Sequence, residues 1–199
     1  KSGNRRHATQ ATGIRQPLRK TQIQNGKDVL RFDGSNDFLL GTLTTLSAMT
    51  VCAVFIPNGS GAAYDRVYSQ RGSADNDDFT QTGHYIPIIR TTNTDEMSSF
   101  AGGGLWQPAY AVAANTCVSV MSKHTGSELS NYKNGTLASS YSHTLGDNGA
   151  LYAVANQGST IAGGLFGGDI AEILVFSTAL SDTNRGLVEA YLNAKWAIY

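Results

Sequence analysis

The chain has 199 residues, of which 41% are hydrophobic, 15% charged and 9% aromatic; this is ample for one compact domain, or at most two small ones, and too little charge for a solvated coil. Its 22 glycines suit a chain that turns often and argue against a helical, coiled-coil or collagen-like protein. Fifteen bases balance fifteen acids, so the molecule as a whole has no electrostatic pull toward nucleic acid or anionic lipid.

The charge is unevenly placed. Residues 1–31 hold eight bases and a single acid, Asp28, a net +7, and the remainder is −7. The basic segment 1–27 reads as an extended arm resting on an acidic surface of its own body or of a neighbouring copy. No alternation of bases with aromatics follows it of the kind that stacks nucleobases, so nucleic acid is not the partner it implies. No run approaches the ~18 apolar residues of a membrane helix, and KSGNRRHATQ lacks the apolar stretch of a signal peptide, so membrane insertion is not expected. A first residue other than Met fits a mature product, a fragment or an excised domain.

In chain order, strands are expected at 28–33 (DVLRFD) and 37–40 (DFLL), around a turn at Gly34-Ser35-Asn36. Next comes 49–56 (MTVCAVFI), stopped by Pro57-Asn58-Gly59, then 66–70, 84–91, 97–101, 116–122 and 128–133. Asn134-Gly135 ahead of TLASS is the strongest hairpin signal, because both residues tolerate the positive φ of a type I′ turn. Strands at 151–155 and 169–177 close the series. No long helical period interrupts it, which excludes βαβ units. The one helix runs from about 181 to 196: Ser181 can cap it, Asp182 suits its first turn, and Leu187, Val188, Tyr191, Leu192 and Trp196 form an apolar stripe to pack on the sheets. Asn184, Arg185, Glu189 and Asn193 on the other face need only solvent. There is no repeat or linker, so residues 1–199 read as a single domain.

Cys52 and Cys117 read as buried free thiols, a disulfide requiring their strands to be close neighbours. His7, His84, His124 and His143 show no zinc-ligand spacing.

The segments VLRFDGSNDFLL, ELSNYKNGTL and, above all, GGDIAEILVFSTALSDTNRGLVEAYLNAKWAI resemble the concanavalin A-like, laminin G-like jelly-roll domains. The resemblance implies an all-β, antiparallel two-sheet jelly-roll sandwich with one C-terminal helix. It also implies that an edge strand ahead of Ser2-Gly3-Asn4 is supplied by preceding sequence or by another part of the chain. Domains of this kind bind carbohydrate or protein on a concave face or nearby loops, often with calcium, and occur in bacteriophage structural proteins and bacterial surface proteins. The expected function is therefore a non-catalytic module on a virion surface, a capsid decoration or tail-fibre protein that recognises carbohydrate or host surface. Other virion proteins or further copies of itself are the expected protein partners. The alternatives are a secreted, extracellular or cell-surface lectin-like adhesion domain and a glycoside hydrolase of the jelly-roll type.

Candidate ligand platforms are Tyr64, Tyr68 and Tyr110, in or beside expected loops, and Trp106 between Leu105 and Gln107-Pro108, where an aromatic face can lie against a sugar ring; the competing role for each is core packing. No cofactor is required, but calcium has candidate oxygen ligands in Asp75, Asp77 and Asp78, or in Asp33, Asn36 and Asp37, residue types that also build turns by themselves. Hydrolysis would need two carboxylates about 5 to 9.5 Å apart across the scissile bond. Asp169 and Glu172, three residues apart on one strand, alternate onto opposite faces and so read as structural, and no catalytic residue is expected. Asn58-Gly-Ser and Asn134-Gly-Thr match the N-glycosylation pattern, but turn geometry already accounts for both.

Overall fold

A computed structural model describes residues 7–44, 46–59, 64–71, 85–90, 96–101, 105–106, 110–144, 150–158 and 164–199. In chain order these form β1 (Leu18–Gln24), β2 (Lys27–Asp33), β3 (Leu39–Thr42), β4 (Met49–Pro57), β5 (Arg66–Arg71), β6 (Tyr85–Arg90) and β7 (Glu96–Ala101). They continue with β8 (Leu105–Trp106), β9 (Tyr110–Ala111), β10 (Val118–His124), β11 (Glu128–Lys133), β12 (Thr136–Ser142), β13 (Leu151–Val154), β14 (Gly167–Phe176) and the helix α1 (Asp182–Trp196). One sheet has the order β1-β2-β14-β4-β10-β11-β12, and the other β3-β13-β5-β6-β7-β8, with β9 also on β7. Every ladder between these strands is antiparallel.

The sheets face each other across the main core, built on the first sheet from Phe32, Met49, Val51, Phe55, Val120 and Ile170, and on the second from Val67, Tyr68, Ile88, Met97, Tyr152 and Val154. A second core lies on the opposite side of the first sheet, where Leu192 and Trp196 of α1 cover Val29, Cys52, Val54, Met121 and Tyr132. β4 is thus covered on both faces, which is why MTVCAVFI is a nearly unbroken apolar run and not an alternating one.

From residue 7 onward the basic segment is tied into both sheets. Thr9 and Leu40 exchange backbone hydrogen bonds of 2.7 and 2.9 Å, and residues 18–24 form β1 on the edge of the first sheet, joined to β2 by a tight turn through Asn25 and Gly26. Sequence patterning missed β1 because LRKTQIQ is an edge strand with mostly exposed side chains and no apolar alternation.

Helix α1 begins where expected, with Ser181 Oγ accepting the Asn184 N–H at 3.3 Å. Its buried stripe is rotated from the expected one. Leu187 and Tyr191 are exposed, whereas Glu189 is buried and Arg185 is largely covered, donating to both Glu189 carboxylate oxygens at 2.8 Å and stacking 4.3 Å above the Tyr132 ring. Tyr132 supplies a π face that a guanidinium can cover, so the polar side of the helix is partly an interface.

Both cysteines are free; Cys52 lies buried under α1 and Cys117 is half-buried just ahead of β10. Cys52 pairs with Met121, four residues from Cys117. That offset of about 13 Å along a strand exceeds the reach of a disulfide. Burial pushes the Cys117 thiol up to about 11.

Candidate functional site

The β4–β10 pairing brings two turns distant in sequence to one end of the first sheet. β4 ends at Pro57 and is followed by Asn58 and Gly59, while Asn115, in the left-handed region at φ 58°, precedes β10. The Asn115 N–H donates to the Pro57 carbonyl at 2.7 Å, and the Asn58 N–H to the Gly167 carbonyl at 3.2 Å, which ties both turns to the start of β14. Between them opens a polar pocket of about 230 Å³ lined by Arg31, Ile56, Asn58, Asn115, Gly168 and Asp169.

Gly168 makes this shape possible. It has φ +143°, and a Cβ there would lie 2.3 Å from the Ile56 carbonyl oxygen, so no larger residue lets β14 enter the sheet at this angle. Asp169 follows, buried, and accepts two hydrogen bonds from Arg31, Nε to Oδ1 at 2.6 Å and Nη2 to Oδ2 at 2.7 Å. This bidentate geometry fixes the plane of the guanidinium, whose side chain stays half exposed at the pocket. Two primary amides, a carboxylate, a guanidinium and the apolar Ile56 supply donors and acceptors in several directions around a small apolar patch, a set that matches the adjacent hydroxyls of a polyhydroxylated ligand.

A larger cleft of about 330 Å³ lies beside β2 and β14, lined mainly by Leu30, Phe32, Leu39, Val154, Ile170 and Ile173. It brings few polar groups together, and its Arg19 and Asp28 are ion-paired to each other. The polar pocket therefore has the stronger recognition chemistry.

Of the aromatics singled out in the sequence, Tyr64, Tyr68 and Tyr110 do not line it. Tyr68 lies in β5, 1% exposed and stacked 5.7 Å from the Tyr152 ring, and Tyr110 opens β9 at 7% exposure. Both are core residues, since alternation in these short strands turns their rings toward the opposite sheet. Tyr64 is half-buried at φ 70°, and its carbonyl accepts from Arg66 Nη1 at 2.5 Å. Trp106 pairs through its backbone with Phe100 in β7. Asp75, Asp77 and Asp78 lie outside the described residues.

In the other calcium candidate, Asp33 Oδ1 accepts the N–H groups of Ser35, Asn36 and Asp37 at 2.8, 2.9 and 3.1 Å, while Asp37 Oδ2 accepts the Asp33 N–H at 3.1 Å. This is a self-contained turn closed by Gly34 at φ +73°. Partial burial opposes ionisation of Asp33, yet the backbone N–H groups outweigh it and hold the carboxyl below its ordinary value. Among the described residues no group of three or more His, Cys, Asp or Glu is placed to hold a metal.

The two carboxylates of β14 need a correction. A bulge at Ala171 shifts the register between Ile170, opposite Phe55, and Glu172, opposite Val54. Asp169 and Glu172 therefore share the face that carries α1, where strict alternation would part them. Each is held by structural donors: Asp169 by Arg31, and Glu172 by Tyr191 Oη, Lys195 Nζ and Trp196 Nε1 at 2.9, 2.9 and 2.6 Å.

Sequence reasoning placed Asn58 in a turn but did not assemble it with Arg31, Asn115 and Asp169. The Pro57-Asn58-Gly59 turn was the one local signal; the β4–β10 and β2–β14 pairings that complete the pocket leave none.

Neither a protein-family model nor a curated protein sequence matches the chain. Solved structures do. The heptameric SAP-like pentraxin of Limulus polyphemus superposes with a TM-score of 0.59 at 14% identity, over 80% of this chain and 80% of that one. Domain 4 of AbnA, a GH43 extracellular arabinanase from Geobacillus stearothermophilus, solved in complex with arabinotriose, gives 0.58 at 14% identity over 79% and 74%. The receptor binding domain of botulinum neurotoxin D gives 0.64 at 10% identity over 95% of this chain, which spans about half of that fragment, 48%. With two antiparallel sheets packed face to face, a C-terminal helix on the back of one, and these neighbours, the chain has the concanavalin A-like jelly-roll fold.

Proposed function

We propose that the protein is a non-catalytic carbohydrate-binding module whose site is the polar pocket at the β4–β14 end of the first sheet. The observation that carries this reading is the convergence of Asn58, Asn115, Arg31 and Asp169 around Ile56. Planar polar groups of this kind bond adjacent sugar hydroxyls in pairs, while an apolar residue takes the C–H surface. The likeness to an arabinanase domain solved with arabinotriose supports the ligand class. Recognition without bond cleavage fits the carboxylates of β14, both already engaged in structural hydrogen bonds.

A small open site gives weak single-site affinity, which repetition on an array multiplies. The setting we propose is accordingly a virion surface, a capsid decoration or tail fibre, with a secreted bacterial adhesion domain as the alternative. The genes flanking the reading frame decide between them, since a position outside any phage structural cluster removes the virion setting.

A glycan array followed by calorimetry, with and without calcium, tests the site. Asn58→Ala and Asn115→Ala are expected to weaken binding about tenfold each, the value of roughly one hydrogen bond, with an unchanged circular dichroism spectrum. Binding that survives both substitutions but is lost in Trp106→Ala would move the site to the edge of the second sheet. Absence of any glycan binding would overturn the proposal in favour of a purely protein-to-protein assembly role, and release of reducing ends from a bound glycan would restore the hydrolase alternative.

A further inference from the structure

Inside the sandwich, two imidazoles 19 residues apart in sequence meet. His124, fully buried at the end of β10, belongs to an inward-facing row that crosses the first sheet from Met49 through His124 and Leu129 to Tyr141. Its Nε2 lies 3.1 Å from Nδ1 of half-buried His143, just past β12, with the rings edge to face at 85°. Its Nδ1 lies 2.9 Å from the backbone nitrogen of Gly126.

That second contact assigns the protons. A backbone N–H can only donate, so His124 Nδ1 is the acceptor and the neutral ring carries its hydrogen on Nε2, which donates to His143 Nδ1. The same assignment opposes a metal between the rings. Ligation through Nε2 would need the proton on Nδ1, facing the Gly126 N–H.

We propose that the Gly126–His124–His143 hydrogen-bond chain is a pH-sensitive latch, which fastens the end of β12 to the β10–β11 turn at neutral pH and opens on acidification. The backbone completes it, since the His143 N–H donates to the Ser127 carbonyl at 2.9 Å. A proton added to His124 Nδ1 opposes the Gly126 N–H, and one added to His143 Nδ1 opposes His124 Nε2–H. Either sets donor against donor in a dry site, so the chain is intact only when both rings are neutral. Burial, with His143 second, lowers His124 to about 4, in the same direction.

The surroundings are consistent with this. Tyr141 of β12 has its ring 6.4 Å from that of His143, and burial pushes its phenol up, keeping it neutral. Glu128 of β11 is held ionised by the Ser140 and Ser130 hydroxyls. Lys123 points to the opposite face, toward Asp182 at 3.4 Å. Met49 on β4, Leu129 on β11, and Ile88, Met97 and Ser99 on the facing sheet are uncharged. For His124 the folded value lies below the unfolded one, so its contribution is complete above the unfolded value of about 6.5 and is lost as pH falls toward 4.

The test is nitrogen NMR of the ¹⁵N-labelled full chain. Near pH 7.5 both Nδ1 resonances are expected in the unprotonated range, with a scalar coupling from His124 Nε2 to His143 Nδ1 across the hydrogen bond. Below about pH 4 the coupling should vanish, and the Gly126 and His143 amides should lose about tenfold protection after correction for intrinsic exchange. In His143→Gln, whose amide oxygen accepts from His124 Nε2 without titrating, the Gly126 amide should lose protection only as His124 itself titrates, toward pH 4. A proton on His124 Nδ1 at neutral pH, pH-independent protection in the wild type, or a stoichiometric shift of both rings by zinc ion would each overturn the latch.

Discussion

At the scale of single residues, Glu172 shows how one side chain settles between two readings. Three amino acids from Asp169, it could suggest a catalytic pair; in the folded chain it joins helix to sheet. Oε1 accepts from Tyr191 and Lys195, and Oε2 from the indole N–H of Trp196, which is 3% exposed. Removing the carboxylate leaves a buried indole N–H and a partly covered ammonium without their acceptor. We predict that Glu172→Ala lowers stability by about 2–3 kcal/mol, and that Glu172→Gln, which keeps one acceptor oxygen, costs roughly half as much. Urea unfolding of both variants at constant m-value measures this, and midpoints equal to that of the wild type would show that the joint contributes nothing. The donors were visible in the sequence as Tyr191, Lys195 and Trp196, but Tyr191 and Trp196 were assigned to packing because the apolar rhythm of a helix does not reveal which polar atom its aromatics reach.

At the scale of elements, the sequence carried strand positions well and strand faces less well. The run from 49 to 56, the Asn134-Gly135 hairpin and the 181–196 helix are strong local signals, and each is an element of the fold. β1 was lost for want of an apolar side, and β8 and β9 for being two residues long. The bulge at Ala171 has no local marker, so period-two counting put Glu172 on the wrong face. That error makes a prediction. Deleting Ala171 removes the unpaired residue and leaves Glu172 opposite Val54 and Ile173 opposite Ala53, with the existing face assignments. Deleting Ile173 instead turns Leu174 and Phe176 toward the main core and Val175 toward α1. The Ala171 deletion is expected to fold at a cost of about 1–3 kcal/mol, within the range of an ordinary point change, whereas the Ile173 deletion should lose the cooperative transition and the near-ultraviolet dichroism. Equal damage from both deletions would mean that the bulge is not a separable insertion.

At the scale of the whole molecule, the charge split of +7 against −7 suggested a basic arm lying on an acidic surface. Among the described residues the segment is held mostly by backbone and amide bonds: the β1–β2 ladder, the Thr9–Leu40 bridge, Gln24 Nε2 donating to the Trp196 carbonyl at 2.6 Å, and Asn25 Nδ2 to that of Lys195 at 3.0 Å. Of its described ion pairs, Arg19–Asp28 stays within the segment and Arg31–Asp169 reaches the body. Removing residues 1–24 therefore strips an edge strand instead of an electrostatic tether. It leaves the N–H and C=O groups of β2 facing solvent beside Leu30, already 37% exposed, and the apolar cleft it lines. An open, partly apolar edge is a template for pairing with another chain. The truncated protein is expected to unfold at a lower urea midpoint and to gain mass with concentration in light scattering, with 500 mM salt making little difference because backbone pairing is not screened. A fall in mass relative to the full chain would instead show that the basic segment joins copies by charge, and the arm reading would be restored.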